Sequence, residues 1–577
     1  MNKQVIITIL LVASLFAVVP ASVSADRWVS PGDDIQDAVD DAIANGGTVY
    51  FAPGDYNNVN IRINAPSESF ALRGSGPSTT TLDGGAAGSV IVIKNTGSSI
   101  VTVEGFTITN GSGETISDSS YGGGMCIHYA NAYIADCTFS RNTADYGGGM
   151  YNAGFSPTVS NCTFTGNDAE YFGAGMYNDN SSPTVTNCTF SRNTADYGGG
   201  MDNDYSSPTV TNCTFTCNDA EYGGGIDFWM SPDSEITNCT FSRNTADYGG
   251  AMYNYDFSTA VTDCTIFDNT SEDCGNADAK RYRGAVSQMA ENREITDNGI
   301  PNEEGILSSD LSMSITNCTF TDNHAEDYGG GMYNAGSSPT VSNCTFTFND
   351  AEDYGGGMDN DYSSPTVTNC TFTGNTADYG GAMYNEDSST AVTNCIMWED
   401  AASEGAEIYS DTSESEVRYS DIQGGYPGLG NIDADPCFAG AASKDLRLRN
   451  NSPCIDSGTD TSGAEYGFVT DDIEGTPRPQ FDAYDMGAYE YDLMPWSPAL
   501  LQPLVATSLG QANSLWSMIG PDIAGCENEC ILDMAAQVQE CMLLATTLAN
   551  PVAACGALSQ AIAIMEDVIE MLTSDTP

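Results

Sequence analysis

Positive charge is what this sequence has least of. Its 577 residues carry 17 Lys and Arg against 79 Asp and Glu, a formal net charge of -62. A surface of that sign repels phosphate, so it weighs against nucleic acid as a partner and against docking on anionic lipid. Histidine is almost absent too. Only His128 and His324 occur, which confines imidazole chemistry to two positions. Long apolar runs are as rare, and the single one, Val5 to Val19 after Lys3, leads into "ASVSA" ending at Ala25. Those small residues suit a signal peptidase, so residues 1–25 are expected to be a cleaved signal peptide, with no membrane-spanning segment in the mature chain. The expected location is secreted, extracellular or cell-surface, where disulfides among the 19 Cys become permissible.

With 40% hydrophobic and 10% aromatic residues the chain still has material for a large core. The stretch "SPGDDIQDAVDDAIANGGTVYFAPGDY", Ser30 to Tyr56, places Ile35, Val39, Ala42 and Ile43 at helical spacing, with "NGG" as a stop. A helix followed by a strand is expected over residues 26–56, as an N-terminal cap on the open end of a stacked core.

A repeat dominates the middle of the chain. The thiol of an "NCTF"-like word recurs at Cys137, Cys162, Cys188, Cys213, Cys239, Cys264, Cys318, Cys344, Cys370 and Cys395, in steps of 25 or 26 with one step of 54. A "GGGM"-like word keeps the same step. Within one unit, "PTVTNCTF" sets Val185, Cys188 and Phe190 on one side and Thr184, Thr186 and Thr189 on the other, provided Asn187 makes a left-handed bend between two short strands. "GGGM" supplies a third strand, with Met or Ile inward. Three strands and three bends per unit give an all-β, parallel β-helix solenoid of about 25 residues per coil. A helical repeat is excluded by the Gly, Asn, Thr and Pro it would have to hold in helix interiors.

Stacking turns each position into a ladder, so the ten Cys are expected to be free, buried apolar fillers rather than disulfides or metal ligands. The "NCT" sequons are read as hydrogen-bonded Asn ladders, with Asn110, Asn180 and Asn269 the more accessible acceptors for a glycan. Acidic residues gather beside the third strand, at Asp145, Asp168, Glu170, Asp196, Asp219, Glu221 and Asp247. Two of them one coil apart repel by about 1 kcal/mol in water. Arg141, Arg192 and Arg243 offset part of that row. Ca²⁺ is the one cofactor these carboxylates suggest, against the alternative of a solvated acidic face.

The "GGGM" and "FSRN"/"FTGN" words resemble the repeats of polymorphic outer-membrane proteins, and the opening stretch resembles the cap of pectin-lyase-like right-handed β-helices. "YSDIQGGYPGLGNIDADPCF", "SPCIDSG" and "DIEGTPRPQFDAYDMGAYEY" resemble the choice-of-anchor Q module of secreted β-helix proteins. The repeats are expected over 57–398, and their break marks an irregular insertion near 265–313 or a partner-binding loop, while the last resemblance implies a closing module over 399–491 and an attachment segment beyond it. Cys437 and Cys454 lie outside the ladder and are disulfide candidates in an exported chain. Residues 492–577 read as a linker and a small helical domain, with Cys526, Cys530, Cys541 and Cys555 free to form two disulfides.

The functional expectation is a non-catalytic structural or adhesive element whose partners are cell-surface glycans or proteins, or further copies of itself. The rival from another class is a polysaccharide lyase or glycoside hydrolase, for which the pairs Asp202 with Asp204 and Asp359 with Asp361 are the candidate acids. They recur with the unit, which is the mark of surface filling, and no catalytic residue is assigned.

Overall fold

The computed structural model describes residues 26–255, 259–271, 285–289, 313–463, 469–481 and 483–491. All of these belong to one compact unit ending at Tyr491. The expected signal peptide and C-terminal helical domain, with Cys526, Cys530, Cys541 and Cys555, lie outside the described residues.

Each coil lays down short parallel strands whose in-register neighbours come from the coils before and after. Three long sheets result, of 15, 13 and 14 strands. We name them by the residue each points inward. In the valine sheet Val159 pairs with Val185 and Val185 with Val210. In the phenylalanine sheet Phe164, Phe190 and Phe215 follow one another, and in the methionine sheet Met150, Met176 and Met201 do. These inward residues are fully buried. Stacking is close to ideal along the phenylalanine column, with centroids 4.7 Å apart and rings within 3° of parallel from Phe139 to Phe215.

The corners follow from residue type. Asn161, Asn187, Asn212 and Asn238 hold φ between 52° and 55°, with Asp136 and Asp263 at 50° and 56° in the same place, a region Asn and Asp tolerate best among side chains with a Cβ. Gly is favoured before the methionine strand, where Ala251 and Ala382 are the tolerated substitutes in other coils. A Cβ on Gly175 would sit 2.3 Å from Gly200 O and 2.9 Å from a Phe190 ring carbon.

Two features differ from the sequence-based expectation. A coil has four strands in its central part, not three, because the acidic segment is itself extended. Asp168–Phe172 pairs with Thr143–Tyr146, and Asp219–Tyr222 with Thr245–Tyr248. Alternation of Ala inward with Asp, Glu or Thr outward gives this segment the period of a strand. The step of 54 residues is also a complete coil. Thr259–Thr262, Thr265–Phe267, Thr270–Ser271 and Val286–Met289 all pair in register with the coils on both sides.

Near the N-terminus helix α1, Ile35–Asn45, buries Val39 and Ala42 in the same core as the first coils. Asp34 accepts hydrogen bonds from the amides of Gln36 and Asp37 at its start, and Gly46, at φ 70°, ends it. At the other end coil strands run on to Asp421–Ile422. The chain from Phe438 to Tyr491 then folds around a buried ion pair, Arg478 to Glu490 at 3.0 Å, with both side chains 1% exposed or less. Among the described residues no helix is long and apolar enough to cross a membrane.

Candidate functional site

The thiols come first, since their repetition is the most conspicuous chemistry in the sequence. All ten ladder Cys are free and buried. Each Sγ–H points at the carbonyl two residues earlier, 3.1 to 3.3 Å away, as Cys188 does to Thr186. The sulfurs of Cys188, Cys213, Cys239, Cys264, Cys344, Cys370 and Cys395 also receive the Cys N–H of the preceding coil at 3.4 Å. Burial pushes Cys344 and Cys395 well above the usual thiol range. A thiol that donates to a carbonyl in a dry core is not a nucleophile. Cys437 and Cys454 are free as well, which corrects the expected disulfide. Cys454 donates to Asp421 Oδ2 at 3.1 Å and Cys437 accepts from Asn451 at 3.3 Å.

A second ladder, of Asn in the "FSRN" and "FTGN" words, is the strongest polar feature of the interior. Asn142, Asn167, Asn193, Asn218, Asn244, Asn269, Asn323 and Asn349 each give Nδ2 to Oδ1 of the next at 2.9 to 3.1 Å. The column ends when Asn375 donates to Asp400 at 2.7 Å. Asn269 is thus fully buried, which removes it as a glycan acceptor.

The carboxylate pairs are split by burial. The outer side of the methionine sheet is covered by a column of rings from the fourth strand, Tyr146, Phe172, Tyr197, Tyr222 and Tyr248, with centroids 4.7 to 5.6 Å apart. Asp202 and Asp227, in register on adjacent coils, occupy a column that elsewhere holds Tyr151, Tyr177 and Tyr253. They are 0% and 2% exposed. Burial, then the charge of Asp204, hold both carboxyls well above the usual range, which favours their protonated forms. Asp204 lies two residues on and half-buried, takes the Tyr177 hydroxyl at 2.8 Å, and is raised to about 6 by burial. Asp179 receives Tyr151 and Asp361 receives Tyr333 in the same way, at 3.0 and 3.3 Å. Asp359 is buried like Asp202. The pairs Asp202 with Asp204 and Asp359 with Asp361 therefore do not face a common groove.

The row of calcium candidates is real but linear. Asp168, Thr194 and Asp219 are neighbours on successive coils, so Asp168 and Asp219 stand two coils apart. Asp145, Glu170, Asp196, Glu221 and Asp247 lie one per coil beside them. Asp145 takes the Ser120 amide at 2.8 Å. Asp196 is raised by partial burial and by the charges of Glu221 and Glu170, and Asp219 by burial. Among the described residues no three His, Cys, Asp or Glu side chains converge as metal ligands. His324 meets Asp350 at 3.0 Å, and burial lowers His128 at the end of Met125–His128.

One surface remains that sequence reasoning did not separate from the rest. The outward positions of the five phenylalanine strands from Thr138 to Ser242 are all Thr or Ser. Their border column, Asn161, Asn187, Asn212 and Asn238, is exposed. Farther along, the same two columns are buried, with Asn369 and Thr371 at 0%, where Thr459, Thr461, Asp471 and Ala488 meet them.

These ladders and sheets define a parallel β-solenoid. The family described as right handed beta helix region matches residues 81–231, 195–280 and 259–422. That is more than half of the chain, and the chain belongs to that family. No curated protein matches it in sequence. Among solved structures, bacteriophage CBA120 tailspike protein 3 is similar over 68% of this chain and 60% of its own, at 11% identity and a TM-score of 0.39. The catalytic unit of a GH87 alpha-1,3-glucanase from Streptomyces thermodiastaticus is similar over 70% of this chain and 67% of its own, at 14% identity and a TM-score of 0.23. A PL6 family polysaccharide lyase from Pseudopedobacter saltans gives 74% and 97%, at 10% identity and a TM-score of 0.27. The chain thus spans about three fifths of the tailspike it matches.

Proposed function

We propose that this protein is a non-catalytic, secreted or cell-surface β-helical rod serving as a structural and adhesive element. One observation carries the reading: the residue types that suggest chemistry occur as ladders, and each rung is occupied by its neighbours. Cys donates to a carbonyl, Asn to Asn, Tyr to Asp, and Asp202 lies beneath tyrosines. A general acid needs an oxygen that substrate can reach within hydrogen-bond distance, and the buried aspartates do not offer one. In this reading helix α1 and the segment up to Tyr491 close the two ends, the latter as a choice-of-anchor Q type module, and the repeats belong with those of polymorphic outer-membrane proteins.

The partners proposed are cell-surface glycans or proteins. The solvated carboxylate row serves solubility, and Ca²⁺, where present, neutralises it without a dedicated chelate. Binding of the full chain to a glycan array, compared with turnover of polysaccharides, each with and without calcium, tests the proposal. Saturable binding without turnover is expected, and turnover without binding elsewhere refutes it.

A further inference from the structure

The half-covered phenylalanine sheet contains its own comparison. In the coils of Asn343, Asn369 and Asn394 the outward Asn and Thr columns hold a non-repeating visitor, the chain's own segment 454–491. Asn343 keeps its ladder bond to Asn317 at 3.2 Å and gives a further bond to Asp471 O at 2.5 Å. Asn369 donates to the Thr461 hydroxyl at 3.1 Å. Asn394 both donates to Thr459 O and accepts from Thr459 N, each at 2.8 Å. Thr371 Oγ1 accepts from the Ala488 amide at 3.0 Å. Asn343 thus bonds along the ladder and to the visitor at once, whereas Asn369 and Asn394 turn their amides to the visitor alone, so the column can pair with hydroxyls, carbonyls and amides laid along it.

Asn187, Asn212 and Asn238 make only the self-satisfying half of that pattern. Each gives Nδ2 to the Asn of the preceding coil at 2.6 to 3.2 Å. The remaining amide hydrogen and oxygen lone pair of each face solvent, beside Thr hydroxyls two residues on. We infer that this bare face, Asn161, Asn187, Asn212 and Asn238 with their following Thr residues, is a binding site for a neutral, hydroxyl-rich linear glycan lying along the solenoid axis. The inference rests on the adhesive reading and names its ligand class.

Repeat and charge select that class. In-register parallel strands repeat the same donor and acceptor about every 4.8 Å, a spacing suited to a polymer with one hydroxyl-bearing ring per rung. A polyanion is repelled by a chain of net charge -62. A polycation is disfavoured locally, since Arg141, Arg192 and Arg243 border the face, and neither Arg141 nor Arg192 has an ion pair among the described residues. The face itself carries no ionisable group in its ten strand positions from Thr138 to Ser242, although charged residues usually make up about a quarter or more of a surface. A peptide partner would meet the same hydrogen-bonding groups, but nothing on this face supplies the buried apolar anchor that peptide and protein interfaces rely on.

The test is calorimetric titration of the full chain with cellohexaose and laminarihexaose, with hexagalacturonate and the chitosan hexamer as acidic and basic controls. At least one neutral hexamer should bind in preference to both controls. Asn187→Gly with Asn212→Gly keeps the left-handed corners and removes two rungs, so affinity should fall by about tenfold or more. Thr189→Val with Thr214→Val should weaken binding in the same direction, and Asn369→Gly, on the covered half, should leave it unchanged. Unchanged affinity in both double variants, each still folded by circular dichroism, overturns the site. Binding of only a charged hexamer overturns the ligand class. If no hexamer binds while the protein still adheres to a cell-surface protein, the glycan site is wrong and the adhesive reading survives.

Discussion

Asn193 gives its side-chain amide to Oδ1 of Asn218 across 2.9 Å and the second hydrogen of that amide to Phe164 O at 3.1 Å. Its own Oδ1 receives both the backbone N–H and the side-chain amide of Asn167 at 3.0 Å. Every donor and acceptor of a fully buried amide is thereby paired without water, which a dry interior demands. Asn193→Ala strands two donors of Asn167 and removes one of the two bonds to Asn218 Oδ1, the backbone N–H of residue 193 keeping the other. The expected loss is about 2–4 kcal/mol, since each unpaired buried group costs about 1–3 kcal/mol. Asn187→Gly, on the exposed column, should cost less than about 1 kcal/mol. Urea unfolding of the two variants against the parent checks the ratio.

Thiol reactivity should separate the described cysteines sharply. Cys217 is exposed, whereas the ladder thiols are buried, and burial pushes even the off-ladder Cys126 up to about 12. Iodoacetamide followed by peptide mass spectrometry should modify Cys217 in the native protein and reach the ladder thiols, Cys162 and Cys395 among them, only after unfolding. Labelling of the ladder in the folded state contradicts a dry thiol column.

Acid should not harm this protein as it does most. The buried carboxyls of Asp202 and Asp227 are raised by burial, Asp204 to about 6, and Asp400 and Asp485 to about 7, again chiefly by burial. A carboxyl with a raised folded-state pKa binds its proton more tightly when folded. Its contribution is complete below the unfolded value, about 4, and is lost as pH climbs through the folded value. Stability should therefore decline between about pH 4 and 7. Asp202→Asn, which cannot ionise, should flatten the decline and raise stability at pH 8 relative to the parent. Chemical denaturation at a series of pH values measures both.

The buried pair of Arg478 and Glu490 holds the segment that covers the phenylalanine sheet. Arg478 also donates to Asp485 O at 3.2 Å and Gly487 O at 2.8 Å, and Glu490 receives the Gln480 amide at 3.0 Å. Glu490→Ala leaves a guanidinium buried without its counter-charge, a change that costs about 3–5 kcal/mol. Hydrogen exchange should speed up at Thr459, Ala488 and Asn369 while the coils around Phe190 keep their protection.

How much of the fold and the candidate site was legible in the sequence divides along one physical line. Features set by neighbours in register were readable: the inward Val185, Cys188 and Phe190, the left-handed Asn187 and the free ladder thiols all follow from periodicity and residue shape. Features set by what covers a residue from outside its own word were not. Asp202 looks like a surface acid in "MDNDY", yet it is fully buried, in the column that holds Tyr177 one coil before. Asn369 and Asn212 stand in the same repeat word, yet residues 454–491 cover only the first. The fourth strand was hidden because its outward Asp and Glu read as loop, although the Ala between them kept strand period. The candidate acids fared worst, because burial, not spacing, decides whether they can act.

If the repeat is construction and function is binding at its surface, binding and turnover must part company in one experiment. The most direct measurement incubates the full chain with neutral and acidic polysaccharides, with and without calcium, and follows bound protein and new chain ends together. Saturable binding with no chain ends above background is expected in either condition. Steady release of chain ends that Asp204→Asn or Asp361→Asn abolishes, while the variant remains folded, would contradict it.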